Sequence, residues 1–483
     1  MNGTLDNLIS LGLLLLLVFT ALAFGTVEPW SLAVFELATV FLLAFWCIKG
    51  AIEGQISLLL PPIVWPLLVL FGFGLLQSIV ITEADGQRKS LSVDVEATRL
   101  TVLTLFCLIC VLLMFANFLV RRERIELVGH FLVYYIMIFS VFSLAQHFSW
   151  NGKFFWVVSP TIPLTAPFGS FVNHAHFSGY VEMIMPLPLA MLLLKTVRSE
   201  ARVFYGFAVV VMGVATVVSL SRGGMISMLA GLLFTSIVSV WAISLRAKLA
   251  AGPSSFITKP WLTRAGLGLV MLVVIIAGIF WVGADPVMDR LEKSSLTGEA
   301  QPGRQTLYSS RGFIWTDTLK LIKDHPLTGT GLGSYPVAFT RYTQNDSAYF
   351  PIEQSHNDYL QILADAGLVG GSLALWFLVS LFSSFIRGIR HSDPRLAALV
   401  LGAGGGIFAL LIHSIFDFNL QIPSNSLMFL LLAAIVSVIG TPSCSPQMSS
   451  VSNSASPLPR VPTRNSSTVL PGGYQNDAIQ IQR

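Results

Sequence analysis

Long apolar runs, separated by short polar stretches, fill the chain from Leu8 to Gly440. A bilayer core about 30 Å thick is crossed by roughly 20 apolar residues of helix. By that ruler the pattern predicts twelve spans, at about 8–24, 30–49, 58–82, 100–120, 127–147, 178–195, 203–221, 224–245, 265–283, 357–386, 396–416 and 424–440. The first is read as a retained anchor. Met1 to Asn7 holds no Lys or Arg, and no clear small-x-small cleavage site follows.

Two stretches break the pattern. Residues 441–483 are rich in Ser, Pro and Asn without apolar periodicity, which predicts a disordered tail. Residues 284–355 form a connection of about 70 residues, too long to be structureless in a compact protein, so it is expected to be folded and functional. Within it, Ser310 is placed to cap a short helix from Arg311 to about Lys323, with Trp315, Leu319 and Ile322 along one face and Pro326 ending it.

Composition agrees with the pattern. Only 11% of the 483 residues are charged while 54% are hydrophobic, against about 25% charged in soluble chains. That excludes a soluble enzyme and a disordered protein. A net charge of +4 is spread too thinly for a nucleic-acid binder. The expected fold is an all-α polytopic membrane protein with one large, partly helical loop. Residues 1–440, loop 284–355 included, form the transmembrane domain, followed by the tail 441–483. Placement of Lys and Arg then orients the chain. With the N-terminus inside, seventeen cations fall on the cytoplasmic side, among them Lys49, Arg121, Arg122, Arg124, Lys195, Arg387 and Arg395. Short outer segments hold five: Arg88, Lys89, Arg99, Lys153 and Arg222. Both termini are therefore expected in the cytoplasm, with loop 284–355 outside. The four cysteines suggest neither a zinc site nor a disulfide framework.

Polar residues at or beside membrane depth carry most of the remaining information. Ser221-Arg222-Gly223-Gly224 joins two apolar runs, and the paired glycines permit a tight turn or a close backbone approach. Arg222 lies on the side where cations are scarce. It either snorkels to headgroups or clamps an anion, a task that suits a planar guanidinium. His356-Asn357-Asp358 opens the tenth span: a His there can act as general base, or the group can be a solvated helix cap. Arg311, taken alone, reads as a surface charge. His413 and Asp417 stand at i, i+4, where Asp417 either orients His413 or merely satisfies it. His174 and His176 lack a third ligand nearby in sequence, so no metal is expected. Thr328-Gly329-Thr330-Gly331-Leu332-Gly333 has no Gly-Lys-Ser/Thr after it, and its glycines are expected to form turns that dock the loop. Glu36 and Glu182 are the notable acids within other spans.

Several of these pieces, in order, resemble the bacterial O-antigen ligase and polymerase superfamily. His356-Asn357, nine residues, Gly367, two residues and Gly370 reproduce its His-Asn-x9-Gly-x-x-Gly pattern. Ser221-Arg222-Gly223 is similar to its Ser-Arg-Gly turn. Trp315 through Gly333 is similar to the loop segment before the His. Phe168-Gly169 through Asn173, with His176-Phe177 and Gly179-Tyr180, is similar to its upstream segment, and His413 with Asp417 fits its closing element. The resemblance covers about residues 8–440. It implies glycan transfer from an undecaprenyl-pyrophosphate carrier to an acceptor hydroxyl at the periplasmic face of the bacterial inner membrane. The acceptor would be a lipid A core or another glycan, and no cofactor would be needed. His356 would be the base and Arg222 and Arg311 would bind the pyrophosphate. Asn173, His176, Asn357, Gly367, Gly370, His413 and Asp417 would support them. Ligase, polymerase and protein O-oligosaccharyltransferase remain open within the superfamily. A lipid-linked glycan transporter is the alternative of another class.

Overall fold

The computed structural model describes residues 2–54, 58–82, 87–160, 167–251, 311–343 and 352–441. Fourteen helices account for about three quarters of them: α1 (Asn2–Leu22), α2 (Pro29–Glu53), α3 (Val64–Gln77), α4 (Val95–Phe118), α5 (Arg122–Phe148), α6 (His174–Glu182), α7 (Pro186–Leu193), α8 (Ser199–Val218), α9 (Arg222–Ala251), α10 (Arg311–Asp324), α11 (Tyr335–Phe339), α12 (Asp358–Ile389), α13 (Pro394–His413) and α14 (Pro423–Gly440). A two-stranded hairpin, Ile81–Thr82 against Arg88–Lys89, is the sheet among the described residues. Ten segments there are long and apolar enough to cross a membrane, with α6 and α7 counting as one. The protein is an all-α, multi-pass membrane protein.

Two of the twelve expected spans need comment. The run at 58–82 yields only the 14-residue α3, because Pro61 and Pro62 delay its start and the hairpin consumes its end. The run at 265–283 lies outside the described residues, as do 284–310 of the loop and the tail from 442.

Local chemistry sets the helix starts. Side chains of Asp94, Asn173, Asn357 and Asp393 accept hydrogen bonds from first-turn N–H groups of α4, α6, α12 and α13. Proline occupies the first turn of α2, α7, α13 and α14, where its missing N–H costs nothing. Pro186 and Pro188 also explain why the expected single span 178–195 is divided into α6 and α7.

The bundle has an inside and an outside. The α14 span is 94% buried within the protein and α13 78%, whereas α2 is 22% buried and faces lipid. α13 reaches its central place through small residues, which let backbones approach closely without hydrophobic driving force. Gly406 sits against the Met183 carbonyl at the α6–α7 break, and Gly405 against Thr235 of α9.

The middle of α12 is interrupted. Gly367 adopts φ 59°, ψ −154°, a region essentially open to glycine alone. The interruption frees carbonyls of Ala364 and Asp365, and the segment after α10 takes them up. Thr330 N–H donates to Ala364 O and Gly331 N–H to Asp365 O, each at 2.9 Å. In return Leu368 and Val369 N–H donate to the carbonyls of Pro326 and Leu327. Buried Gln77 of α3 ties the joint, donating to Thr328 O and Asp365 O and accepting from Leu332 N–H. The glycines of 328–333 do dock the loop, as their turn chemistry suggests, against a broken transmembrane helix.

α10 begins at Arg311 and ends before Pro326, close to expectation. Its buried face differs. Ile314, Thr318 and Leu321 pack toward Tyr335, Phe339 and Ala364, while Leu319 is 55% exposed. Trp315 is only partly buried; its indole N–H donates to the Ser355 carbonyl at 3.0 Å, just ahead of His356.

Candidate active site

Asp417 is the hub of the site. It lies in the link between α13 and α14 and is 1% exposed. Its Oδ1 lies 3.2 Å from His356 Nδ1 and 3.9 Å from His176 Nε2, and its Oδ2 lies 3.9 Å from Arg311 Nη2. Four segments far apart in sequence meet at this one carboxylate.

Backbone contacts set the hub in place. Asp417 N–H donates to His413 O at 3.0 Å, and Asp417 Oδ1 accepts from its neighbour Phe418 N–H at 2.9 Å. The Phe418 ring lies edge-on between two imidazoles, with centroids 4.7 Å from His176 and 4.8 Å from His356. Burial alone would raise the Asp417 carboxyl. The His356 hydrogen bond and the nearby Arg311 guanidinium, joined by His176 and His356 when those rings are protonated, outweigh it and hold the group well below the usual carboxylate range. It is therefore ionised and can only accept, which places a hydrogen on Nδ1 of His356 and leaves Nε2 as the ring nitrogen that Asp417 does not engage.

His356 has φ 52°, an uncommon left-handed conformation that non-glycine residues hold only when their surroundings over-determine it. The surroundings are clear. Trp315 grips Ser355, and Ser355 N–H donates to Gln361 Oε1. Asn357 caps α12 and donates from Nδ2 to Ile415 O. Asp358 N–H donates to Ser414 O, while its carboxylate accepts from the Ser414 hydroxyl and Leu420 N–H. The His356 side chain keeps 32% of its surface exposed, so the imidazole remains accessible.

The fit of the other sequence candidates varies. Arg311 and His176 join His356 at Asp417. Arg222 opens α9 with its side chain exposed, on a turn whose Ser221, Gly223 and Gly224 are buried. A Cβ on Gly223 would stand 3.1 Å from the His413 ring. Asn173 caps α6 through Ala175 N–H, a structural role. Gly367 makes the α12 break, and Gly370 packs within that helix against Ala366 and Ile362. Among the described residues no group of three or more His, Cys, Asp or Glu side chains is arranged to hold a metal.

One expectation is corrected. His413 and Asp417 do not share a helix face, because α13 ends at His413. Asp417 turns to His356, and His413 Nδ1 pairs instead with Glu182 Oε1 at 2.9 Å. Glu182 also accepts from Ser227 Oγ at 2.8 Å. The sequence reading left Glu182, Ser227 and Phe418 out of the site. An acid within a span was a signal for Glu182, but its partner lies 231 residues away.

Beside the hub, an apolar cavity of about 220 Å³ runs between α3, α12 and α14. Asp358, Tyr359 and Ser414 line it together with Ile362, Phe377 and Phe429 farther along. Residues 207–375 match the family model described as O-antigen ligase. That stretch is similar to the O-antigen ligase family. That match takes in Arg222, Arg311 and His356 and leaves His176 and Asp417 outside its limits. No curated protein matches the chain significantly. The match supports a membrane enzyme of the O-antigen ligase and polymerase type, a family that works on lipid-linked glycans in a membrane setting.

Proposed function

We propose that this O-antigen ligase family protein is a ligase-type glycosyltransferase. It moves a glycan from undecaprenyl pyrophosphate to a sugar hydroxyl of a lipid A core at the periplasmic face of the inner membrane. The observation that carries the reading is the buried, ionised Asp417 shared by His356 and Arg311. With Nδ1 held by Asp417, His356 presents Nε2 to accept the proton of the attacking hydroxyl. The acceptor oxygen forms a bond to the anomeric carbon, the bond from that carbon to the pyrophosphate oxygen breaks, and its electron pair leaves with the pyrophosphate. Arg311 and Arg222 pair with the charge that develops there. α6, α9, α10 and α12 all begin close to the hub or to His413, and helix N-termini favour anions. The apolar cavity beside Asp358 suits part of a long hydrocarbon chain.

Both acids noted within spans are engaged inside the protein, which favours an enzyme over the transport alternative: Glu182 pairs with His413 and Ser227, and Glu36 accepts from the Thr104 hydroxyl. The deciding test is complementation of a deletion strain, read on lipopolysaccharide gels. Loss of the gene should leave bare core with polymer stranded on its carrier, and His356→Ala should fail to restore ligation. Core bearing single repeats would instead assign a polymerase, and full activity of His356→Ala would remove the proposed base.

A further inference from the structure

Glu182 is 0% exposed and uses both oxygens, one on His413 Nδ1 at 2.9 Å and one on Ser227 Oγ at 2.8 Å. Both partners touch Gly223 of the Ser221–Gly224 turn. Ser227 Oγ also reaches the Gly223 carbonyl at 2.7 Å, and the His413 ring lies against Gly223. Gly224 rests on Ser178, one turn before Glu182 in α6, and its N–H donates to Ser221 Oγ at 3.1 Å.

The entry to the turn is strained: Leu220, immediately before it, has φ 60° and is 74% exposed, so its own side chain contributes nothing to hold that conformation. A strained residue persists only where its surroundings over-determine it. The turn that follows is held at Gly223 by Ser227 and His413, and these two meet at the Glu182 carboxyl. The exposed Arg222 side chain leaves from this turn.

We propose that Glu182 is a positioning residue for Arg222: through His413 and Ser227 it fixes the Ser221–Gly224 turn, and so sets how the guanidinium meets the anionic part of the substrate. This rests on the role given to Arg222 above, and it separates two tasks. Asp417 governs the proton at His356, while Glu182 governs engagement of the donor's charge.

The test is a double-mutant cycle on the full-length protein in lipid nanodiscs, with an undecaprenyl-pyrophosphate-linked glycan as donor. Glu182→Gln keeps the shape but puts an amide where the carboxyl pairs with His413 Nδ1 and Ser227 Oγ. It should raise the donor KM about tenfold and leave kcat within about threefold. In an Arg222→Ala background the same change should alter KM less than about twofold, because the residue it acts through is gone. Glu182→Asp should recover part of the loss in the wild-type background. Equal KM factors in both backgrounds, a fall in kcat with KM unchanged, or wild-type kinetics for Glu182→Gln would each overturn the proposal. Should Glu182→Gln not accumulate, the Ser227→Ala cycle, which releases the other oxygen, decides by the same criteria. If Arg222→Ala and His356→Ala both keep full transfer, the reading of the site fails instead, a separate outcome.

Discussion

A single carboxylate orients the His356 imidazole, and that arrangement has measurable consequences. Asp417→Asn keeps the shape but allows the wrong His356 tautomer. Transfer should fall about 10²- to 10⁴-fold in kcat, with donor KM little changed, in an assay of purified enzyme. The Asp417 pKa is lowered by folding, so its contribution to stability is complete above its unfolded value of about 3.9 and is lost as pH falls below that value. The thermal stability difference between wild type and Asp417→Asn should therefore persist as pH falls from 8 to 5. A difference that shrinks as pH falls across that window would contradict an ionised, paired Asp417. Arg311 is a separate case. Its guanidinium is 3.9 Å from the carboxylate and 36% exposed, a loose pair in which charge counts more than fork geometry. Arg311→Lys should retain several-fold more activity than Arg311→Ala, and equal loss in both would point to bidentate geometry.

At the scale of elements, the joint in α12 is the sharpest test. A Cβ on Gly367 would run into the Leu327 carbonyl and Gly329 N. Gly367→Ala should destabilise the protein by about 2–4 kcal/mol and speed proteolysis between α10 and α11. Gly206 in α8 meets nothing within 4 Å, so Gly206→Ala should be neutral or slightly stabilising in the same thermal assay. This contrast marks what the sequence makes legible. Apolar run lengths place nearly every described helix, because membrane thickness leaves few choices. Caps and prolines locate their ends. Gly367 and the glycines of 328–333 are visible as motifs, but nothing in their local pattern says that they fit each other. The Asp417–His356 pair was hidden for the same reason. Spacing of i, i+4 suggests His413 for Asp417, and only tertiary structure shows that α13 stops first. Leu319 misled similarly: apolar residues facing lipid and facing protein look alike in a membrane protein.

For the whole molecule, orientation is the property to measure. If cations lie predominantly inside, the Arg222 turn faces out and the α7–α8 link faces in. In a cysteine-free background, Leu220→Cys should react with a membrane-impermeant maleimide in intact spheroplasts, while Glu200→Cys should react only after permeabilisation; both positions are exposed. The reverse pattern would invert the topology and move the site to the cytoplasmic side. Charge scarcity also takes on another meaning at this scale. Much of the ionic pairing gathers at two places, the site and the opposite end, where Asp6 joins Lys49 and Arg124, and Arg122 joins Asp393.

The way the α10–α11 segment is fastened bears on turnover. Its middle is stitched into the gap of a transmembrane helix by Thr330, Gly331, Leu368 and Val369, and Trp315 holds it to the residue preceding His356. A flap so attached cannot swing aside without exposing those backbone groups to an environment that will not hydrogen-bond them. It behaves as masonry, not as a door. For the proposed transfer reaction, substrates would then pass it while it stays put, and the timing of each cycle would be set by other parts of the protein.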